Sequence, residues 1–460
     1  MGDARFLLPD TAVEDLDGFV ALGGGEGLRA ARRLGPRGTI EEVTAAGLRG
    51  RGGAGFPTGT KWESVRSGGR GTRYVVANGA EGEPASFKDR LLMRRDPYRV
   101  VEGAAIAAVA VGATTIYLAT KRSYRPEVEA LTRAALDLSA AGILADLAVD
   151  IVEGPDEYLF GEEKALLEVI EGREPLPRLL PPWQFGLFAT APGGGWEAEA
   201  RGITSQADSN PTAVNNVETL ATAAHILARG ATWFRSMGTP ESPGTILATV
   251  VGAVRRPGVH EVELGTPFSD LLRRCGGPLP GHTFKAAFSG VSNAVLPAGR
   301  FDTPLTYEDL AAAGSGLGAA GFVVYDETTD MTSVARELSR FLSVESCGQC
   351  PACKQGTAEI TLHLAAIEQG RGRDEELGAV NAALRSVTDA NRCALGTEEQ
   401  QVVSSILRAF PADISARLEH TAAPLRPVLV PLIKDITADG TVVYDERHRR
   451  KRPDWTYAPG

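Results

Sequence analysis

Apolar positions in the first half of the chain fall into short runs separated by longer stretches with helical spacing. Tyr74–Ala77, Ile116–Thr120 and Ala148–Val152 are β-type runs, each ending near a polar or glycine-containing segment. Between them, Val100–Val111 and Pro126–Leu138 carry apolar residues at helical intervals. This βα alternation predicts a mostly parallel sheet covered by helices, with ligands gathered at the carboxyl ends of its strands. Leu179 to Asn210 breaks the rhythm with Pro-Pro, Gly-Gly-Gly and many polar residues, and reads as a long surface loop. Asn216–Arg229 then resumes a helix.

From Gly244 the pattern changes. β-like runs at Ile246–Val251, Val259–Val262 and Phe284–Phe288, with one helix at Pro267–Cys275, predict a small α+β unit ending near Tyr325. Asp330 to about His420 is helical almost throughout. After Pro424 come two further β-like runs around a turn at Ala438-Asp439-Gly440, then the basic and aromatic end RHRRKRPDWTY.

A chain of 460 residues suggests two to four domains, and a hydrophobic share of 43% supplies their cores. No run approaches the ~18 uninterrupted apolar residues of a membrane span. The N-terminus lacks the basic and apolar regions of a signal peptide. A cytosolic (cytoplasmic) protein without direct membrane insertion is the expectation. The net charge of −10 comes with no basic block outside Arg447 to Arg452, which argues against nucleic acid as a partner. Five cysteines, an odd number in that setting, do not make a disulfide framework. Cys347, Cys350 and Cys353 at three-residue steps, with Cys393 further on, point to metal ligation; spacing alone admits a 4Fe–4S cluster or zinc. Cys275 stands apart and reads as a buried apolar residue at a helix end.

The most informative stretch is GLRGRGGAGFPTGTKW, Gly47 to Trp62. Gly50, Gly52, Gly53 and Gly55 permit positive φ and close backbone approach, so successive N–H groups can form an anion nest, with Arg49, Arg51 and Lys61 adding charge. The loop lacks a P-loop's GKS or GKT ending and is not a clean GxGxxG. From the residues alone it is either a structural turn or a phosphate cradle.

This segment resembles the signature of the family of flavoprotein subunits of respiratory complex I, whose relatives serve NAD-dependent hydrogenases and formate dehydrogenases. Four further segments resemble that family in order. NGAEGEP, from Asn78, resembles NADESEPG, with Ala80 and Gly82 replacing an aspartate and a serine. EYLFGEEK, from Glu157, resembles AYICGEET, with Phe160 and Lys164 replacing a cysteine and a threonine. PTAVNNVETL, ending at Leu220, resembles TTINNVETL. ESCGQCPACKQGT, residues 345–357, resembles ESCGxCxPCRxGT, with the proline moved back one place and Lys354 for arginine.

The resemblance covers about residues 35 to 420 and implies an α/β fold. A Rossmann-like FMN/NADH domain (35–240) is followed by a ubiquitin-like β-grasp, SLBB-like module (241–328) and a four-helix iron–sulfur domain (329–420). An N-terminal extension (1–34) and a C-terminal tail (421–460) flank them. It implies FMN, NAD(H) and a 4Fe–4S cluster as cofactors. Hydride would pass between NAD(H) and FMN, and single electrons through the cluster to a partner subunit. The implied cofactor-binding residues are Gly50, Arg51, Gly52, Gly53, Phe56, Lys61, Asn78, Glu81, Tyr158, Gly161, Glu162, Glu163, Trp183, Asn215 and Asn216. Glu81 and Glu83 would lie near the nicotinamide, and Glu163 would repel a 2′-phosphate. Cys347, Cys350, Cys353 and Cys393 would ligate the cluster. The implied partners are a thioredoxin-like 2Fe–2S subunit and a larger iron–sulfur or catalytic subunit of hydrogenase, formate dehydrogenase or complex I type. The four substitutions at the flavin segments leave a second reading, a non-catalytic iron–sulfur relay with a degenerate flavin pocket. For the tail, Trp455 and Tyr457 among basic residues suggest docking onto a partner subunit or an unstructured end.

Overall fold

Strands β1 (Tyr74–Asn78), β2 (Thr115–Lys121), β3 (Ala148–Gly154) and β4 (Thr212–Asn216) form a parallel sheet in the order β3-β2-β1-β4. The structure is a computed structural model describing residues 5–69, 71–189, 209–426, 428, 430–437 and 439–459. Much of the expected long loop, 190–208, lies outside the described residues.

The described chain divides into two units. The first comprises residues of Met1–Gly82, Lys88–Leu247 and Glu261–Gly265, and contains the parallel sheet. Its central helix, Pro97–Val111, is buried on almost every side. Asp96 accepts from the Arg99 N–H at its start, Pro97 occupies the first turn, and Gly112 at φ 77° ends it in the left-handed conformation. A Cβ on Gly103 would stand 2.0 Å from the Leu220 carbonyl, so this glycine lets helix Val217–Arg229 approach backbone to backbone. At the other end, Glu26–Ala46 runs as one helix bent at Gly35 and Pro36.

The second unit comprises Glu83–Phe87, Ala248–His260 and residues from Thr266 onward. A five-stranded sheet, most of it in this unit, runs β6-β5-β9-β7-β8, with β5 Thr245–Gly252, β6 Gly258–Glu263, β7 Phe284–Ser289, β8 Leu296–Pro297 and β9 Gly321–Asp326. β5 pairs parallel with β9, while β7 lies antiparallel to β8 and β9. Helices Met331–Glu345, Pro351–Glu368, Asp374–Ser386 and Leu395–Ala409 follow, with a shorter one at Pro411–Leu418. Asp330 caps the first by accepting from the Thr332 and Ser333 N–H groups. A hairpin, β10 Ile433–Ile436 with β11 Val442–Tyr444, opens the tail. Among the described residues no helix is long and apolar enough to cross a membrane.

Candidate functional site

The strand order β3-β2-β1-β4 reverses direction between β1 and β4, and ligands bind outside the carboxyl ends of strands at such a switch point. Asn78 ends β1, Asn216 ends β4, and the two are register partners. Asn216 caps helix Val217–Arg229 by accepting from the Glu218 N–H, and donates to Asp89 at 2.7 Å. Asn215 accepts from the Trp62 indole at 2.8 Å, tying β4 to the helix that follows the glycine loop.

That loop closes on itself through the Gly50 N–H to Phe56 carbonyl hydrogen bond, 2.9 Å. Gly53 holds φ 135°, and a Cβ there would meet nothing within 4 Å, whereas one on Gly52 would lie 3.2 Å from the Asn216 Cβ. The loop therefore lies against Asn216 on one side and is open on the other, a cradle a phosphate fits. Lys61 Nζ stands beside it, 2.9 Å from Glu163 Oε2 and 3.1 Å from the Val214 carbonyl. Arg51 does something else. Its backbone N–H donates to Thr219 Oγ1, and its wholly buried guanidinium donates to the Thr245 carbonyl at 2.9 Å. It braces the loop.

The two acidic segments meet over β1. Asn78 Nδ2 donates to the Gly161 carbonyl at 2.8 Å, and its Oδ1 accepts from the Ala80 N–H. Tyr158–Gly161 forms a 3₁₀ turn, after which Glu162 caps helix Glu163–Ile170 by accepting from the Lys164 and Ala165 N–H groups. Burial pushes the Glu162 carboxyl up to about 7 despite nearby Lys164. Glu81 receives the Asp89 N–H and Arg90 Nε at 3.1 and 3.0 Å. Glu83 belongs to the second unit, where its Oε1 accepts from the Val291 N–H and Ser292 Oγ at 2.7 and 3.2 Å. Phe56 and Trp183 are exposed aromatic rings, 49% and 37% accessible.

The substitutions have a packing explanation. Ala80 and Phe160 both belong to one buried apolar cluster with Val76, Leu166 and Val214. The Phe160 ring lies under Gly154, where a Cβ would stand 2.1 Å from it. Both side chains thus serve apolar packing in this chain. A Cβ on Gly82 would lie 2.9 Å from Lys121 Nζ, so glycine here leaves room for that ammonium.

Sequence reasoning passed over a buried charge network under the site. Lys88 Nζ lies 2.7 Å from both Asp89 Oδ1 and Glu218 Oε2, with no side-chain exposure at Lys88 or Glu218. Burial raises the Asp89 carboxyl against the pull of Lys88. The clue was three consecutive charges, KDR, opening a helix that β1 leads into.

In the second unit, Cys350 is the N-cap of helix Pro351–Glu368, and Cys353 sits in its first turn. Pro351 occupies the first helical position, which suits proline and accounts for its displacement in the motif. The Arg392 N–H donates to Cys350 Sγ at 3.3 Å, which brings the neighbouring Cys393 backbone to the cysteine turn. Ser346 Oγ lies 3.3 Å from Cys353 Sγ. Burial, then the neighbouring Cys350 and Cys347, pushes the Cys353 thiol up to about 11, against the Ser346 hydrogen bond. As cluster ligands these cysteines would be thiolates, whose negative charge the bound iron would offset. Four cysteine sulfurs are the usual ligand set of a 4Fe–4S cluster. Cys275 is buried at the end of helix Phe268–Arg274, and burial pushes its thiol up to about 12.

Family models match the chain in the order of these structures. The Nuo51 FMN-binding domain matches residues 43–225, the SLBB domain 247–288, and the NADH-ubiquinone oxidoreductase-F iron-sulfur binding region 333–417. The second of two F subunits of NADH-quinone oxidoreductase from Rhizobium meliloti is 37% identical over 87% of this chain and 94% of its own. The chain belongs to the family of NADH-quinone oxidoreductase F subunits. The corresponding protein of Streptomyces coelicolor is 35% identical over 90% of each chain. Among solved structures, an NAD+-reducing [NiFe]-hydrogenase in its air-oxidized state aligns with TM-score 0.74 and 31% identity, over 88% of this chain and 67% of that one. Its H2-reduced state gives 0.72 and 33% over 83% of this chain, which spans 62% of the hydrogenase chain. This family is that of the NADH dehydrogenase flavoprotein subunits, binding FMN, NAD(H) and a 4Fe–4S cluster. The fold is the expected α/β arrangement of FMN-binding, SLBB and iron–sulfur regions.

Proposed function

We propose that this chain exchanges hydride with NAD(H) at the carboxyl end of its parallel sheet and passes single electrons through Cys347, Cys350, Cys353 and Cys393 to a partner subunit. The register pairing of Asn78 with Asn216 at the switch point, beside an open glycine cradle, carries this reading. FMN supplies the conversion between a two-electron hydride and single electrons, and a 4Fe–4S cluster supplies the one-electron relay.

The residues of the chain bind and orient. Gly50, Gly52 and Gly53 offer backbone and Lys61 offers charge to the flavin phosphate, with Asn215 and Asn216 holding the loop's far wall. Asn78, through Gly161, fixes the 3₁₀ turn so that Tyr158, Glu162 and Glu163 face the dinucleotide. Glu81, anchored by Arg90, shapes the nicotinamide end, while Phe56 and Trp183 offer rings to the adenine. The partners would be a thioredoxin-like 2Fe–2S subunit and a larger iron–sulfur or catalytic subunit in the cytoplasm, and they would set the direction of flow.

The rival reading, a relay with a degenerate flavin pocket, draws on the apolar replacements Ala80 and Phe160. Flavin content and NADH–ferricyanide activity of the purified chain separate the two. One FMN per chain with turnover supports the enzyme, and a cluster-bearing chain with neither supports the relay.

A further inference from the structure

The C-terminal tail folds back on the cysteine-bearing helices of its own unit. Lys451 Nζ lies 2.8 and 2.9 Å from the two oxygens of Glu345, and His448 Nε2 lies 2.9 Å from Oε1 of the same carboxylate. Glu345 ends helix Met331–Glu345, two positions before Cys347, and is 2% exposed. From the same helix, the Val344 carbonyl accepts from the Trp455 indole at 3.0 Å, and Arg340 donates to the carbonyls of His448, Arg449 and Lys451. At the other end of the cysteine turn, Lys354 Nζ donates to the Ser346 carbonyl at 2.6 Å and to the Pro453 carbonyl at 2.7 Å.

The tail is itself ordered for this task. Lys451 and Tyr457 form an antiparallel bridge, the Arg452 N–H donates to the Thr456 carbonyl, and the Trp455 N–H returns to the Arg452 carbonyl. The turn holds Trp455 at φ 66°, a conformation that a bulky L-residue adopts only when its surroundings require it. Lys451 and Glu345 are both almost fully buried, and a buried pair of this kind fixes one arrangement because either charge alone would be left desolvated.

We propose that the hairpin Lys451–Tyr457 is a positioning element of the iron–sulfur site. It grips Glu345 and Lys354, which bracket Cys347–Cys353, and so fixes the cysteine turn and closes it to water from that side. Lys451 acts through Glu345, not on the cluster directly. The inference rests on the cluster assigned above and extends the site beyond the region that the iron–sulfur family model matches, 333–417.

The test uses the full chain with its cluster in place, comparing wild type with Lys451→Met and Lys451→Arg. The readouts are flavin content, the EPR spectrum and midpoint potential of the reduced cluster, and the rate at which cluster absorbance bleaches in air. Lys451→Met is expected to keep full flavin, to change the EPR line shape and potential, and to bleach about tenfold faster; Lys451→Arg restores most of each. An unchanged cluster in Lys451→Met overturns the proposal. Equal loss of flavin and cluster also overturns it, because the tail would then support the fold at large. A wild-type chain that takes up no cluster would instead refute the underlying assignment.

Discussion

Lys61 Nζ and Glu163 Oε2 form an ion pair of 2.9 Å that joins the helix following the glycine loop to the start of helix Glu163–Ile170. Both side chains are partly exposed, 19% and 30%, so the pair contributes little to stability and is open to a ligand. Glu163→Gln removes a negative charge and releases Lys61 toward phosphate. The ratio of kcat/KM for NADH over NADPH is expected to fall about tenfold or more, a change of ~1.4 kcal/mol. An unchanged ratio, measured by steady-state kinetics with both nucleotides, would remove Glu163 from nucleotide selection.

Gly53 carries the second prediction. At φ 135° with open space around its Cβ position, alanine would be strained without being crowded. Gly53→Ala should weaken FMN binding by about tenfold to a hundredfold while Tm changes little. Flavin titration of the apoprotein measures this, and full retention of affinity would mean that the loop does not hold the phosphate.

Lys88 is the charge whose loss should cost most. It neutralises Asp89 and Glu218 from a fully buried position. Lys88→Met leaves two buried carboxylates without their cation, and about 3–5 kcal/mol of destabilisation is expected. Denaturant unfolding would show it as a lowered midpoint; a loss under 1 kcal/mol would mean that water reaches the network.

The fourth prediction concerns pH. Glu399 is wholly buried, with Oε1 accepting from Ser339 Oγ at 2.6 Å and Oε2 without a hydrogen-bond partner among the described residues. Burial pushes its carboxyl up to about 8, against the lowering effect of Ser339. An unfolded glutamate titrates near ~4.3, so above that pH the unfolded chain has released a proton that the folded chain retains. Stability contributed by Glu399 therefore falls as pH rises from there to about 8. Glu399→Gln should flatten this slope, so that Tm drops less between pH 6 and pH 8 than in wild type. Parallel curves would contradict the protonated state.

Much of the first unit was legible because its strands are short apolar runs closed by polar residues, and three of them appear within a residue or two of their predicted ends. β4 was harder to see. Thr212–Asn216 carries two asparagines, and its burial between β1 and the helices decides its strand state. Pairing of Asn78 with Asn216 follows only from the strand order, which sequence spacing does not report. The sequence places Arg51 among glycines, and the structure adds that its side chain turns inward to the Thr245 carbonyl. Local charge patterns do not say which way a side chain points. For the tail, basic and aromatic composition does not report fold; in the structure Trp455 and Lys451 pack within the chain.

The cysteine set separates the two halves of the proposed electron path. Cys350→Ser is expected to lose the cluster and all transfer to a partner subunit, while FMN stays bound and NADH–ferricyanide turnover remains within about twofold of wild type. Equal loss of both activities with FMN still bound would contradict the division of labour between the two units.

The most direct measurement is anaerobic absorbance and EPR of the purified chain before and after one equivalent of NADH. Bleaching of flavin bands together with a reduced 4Fe–4S signal is the predicted result. A chain that binds FMN and cluster but transfers nothing from NADH to either would contradict the account.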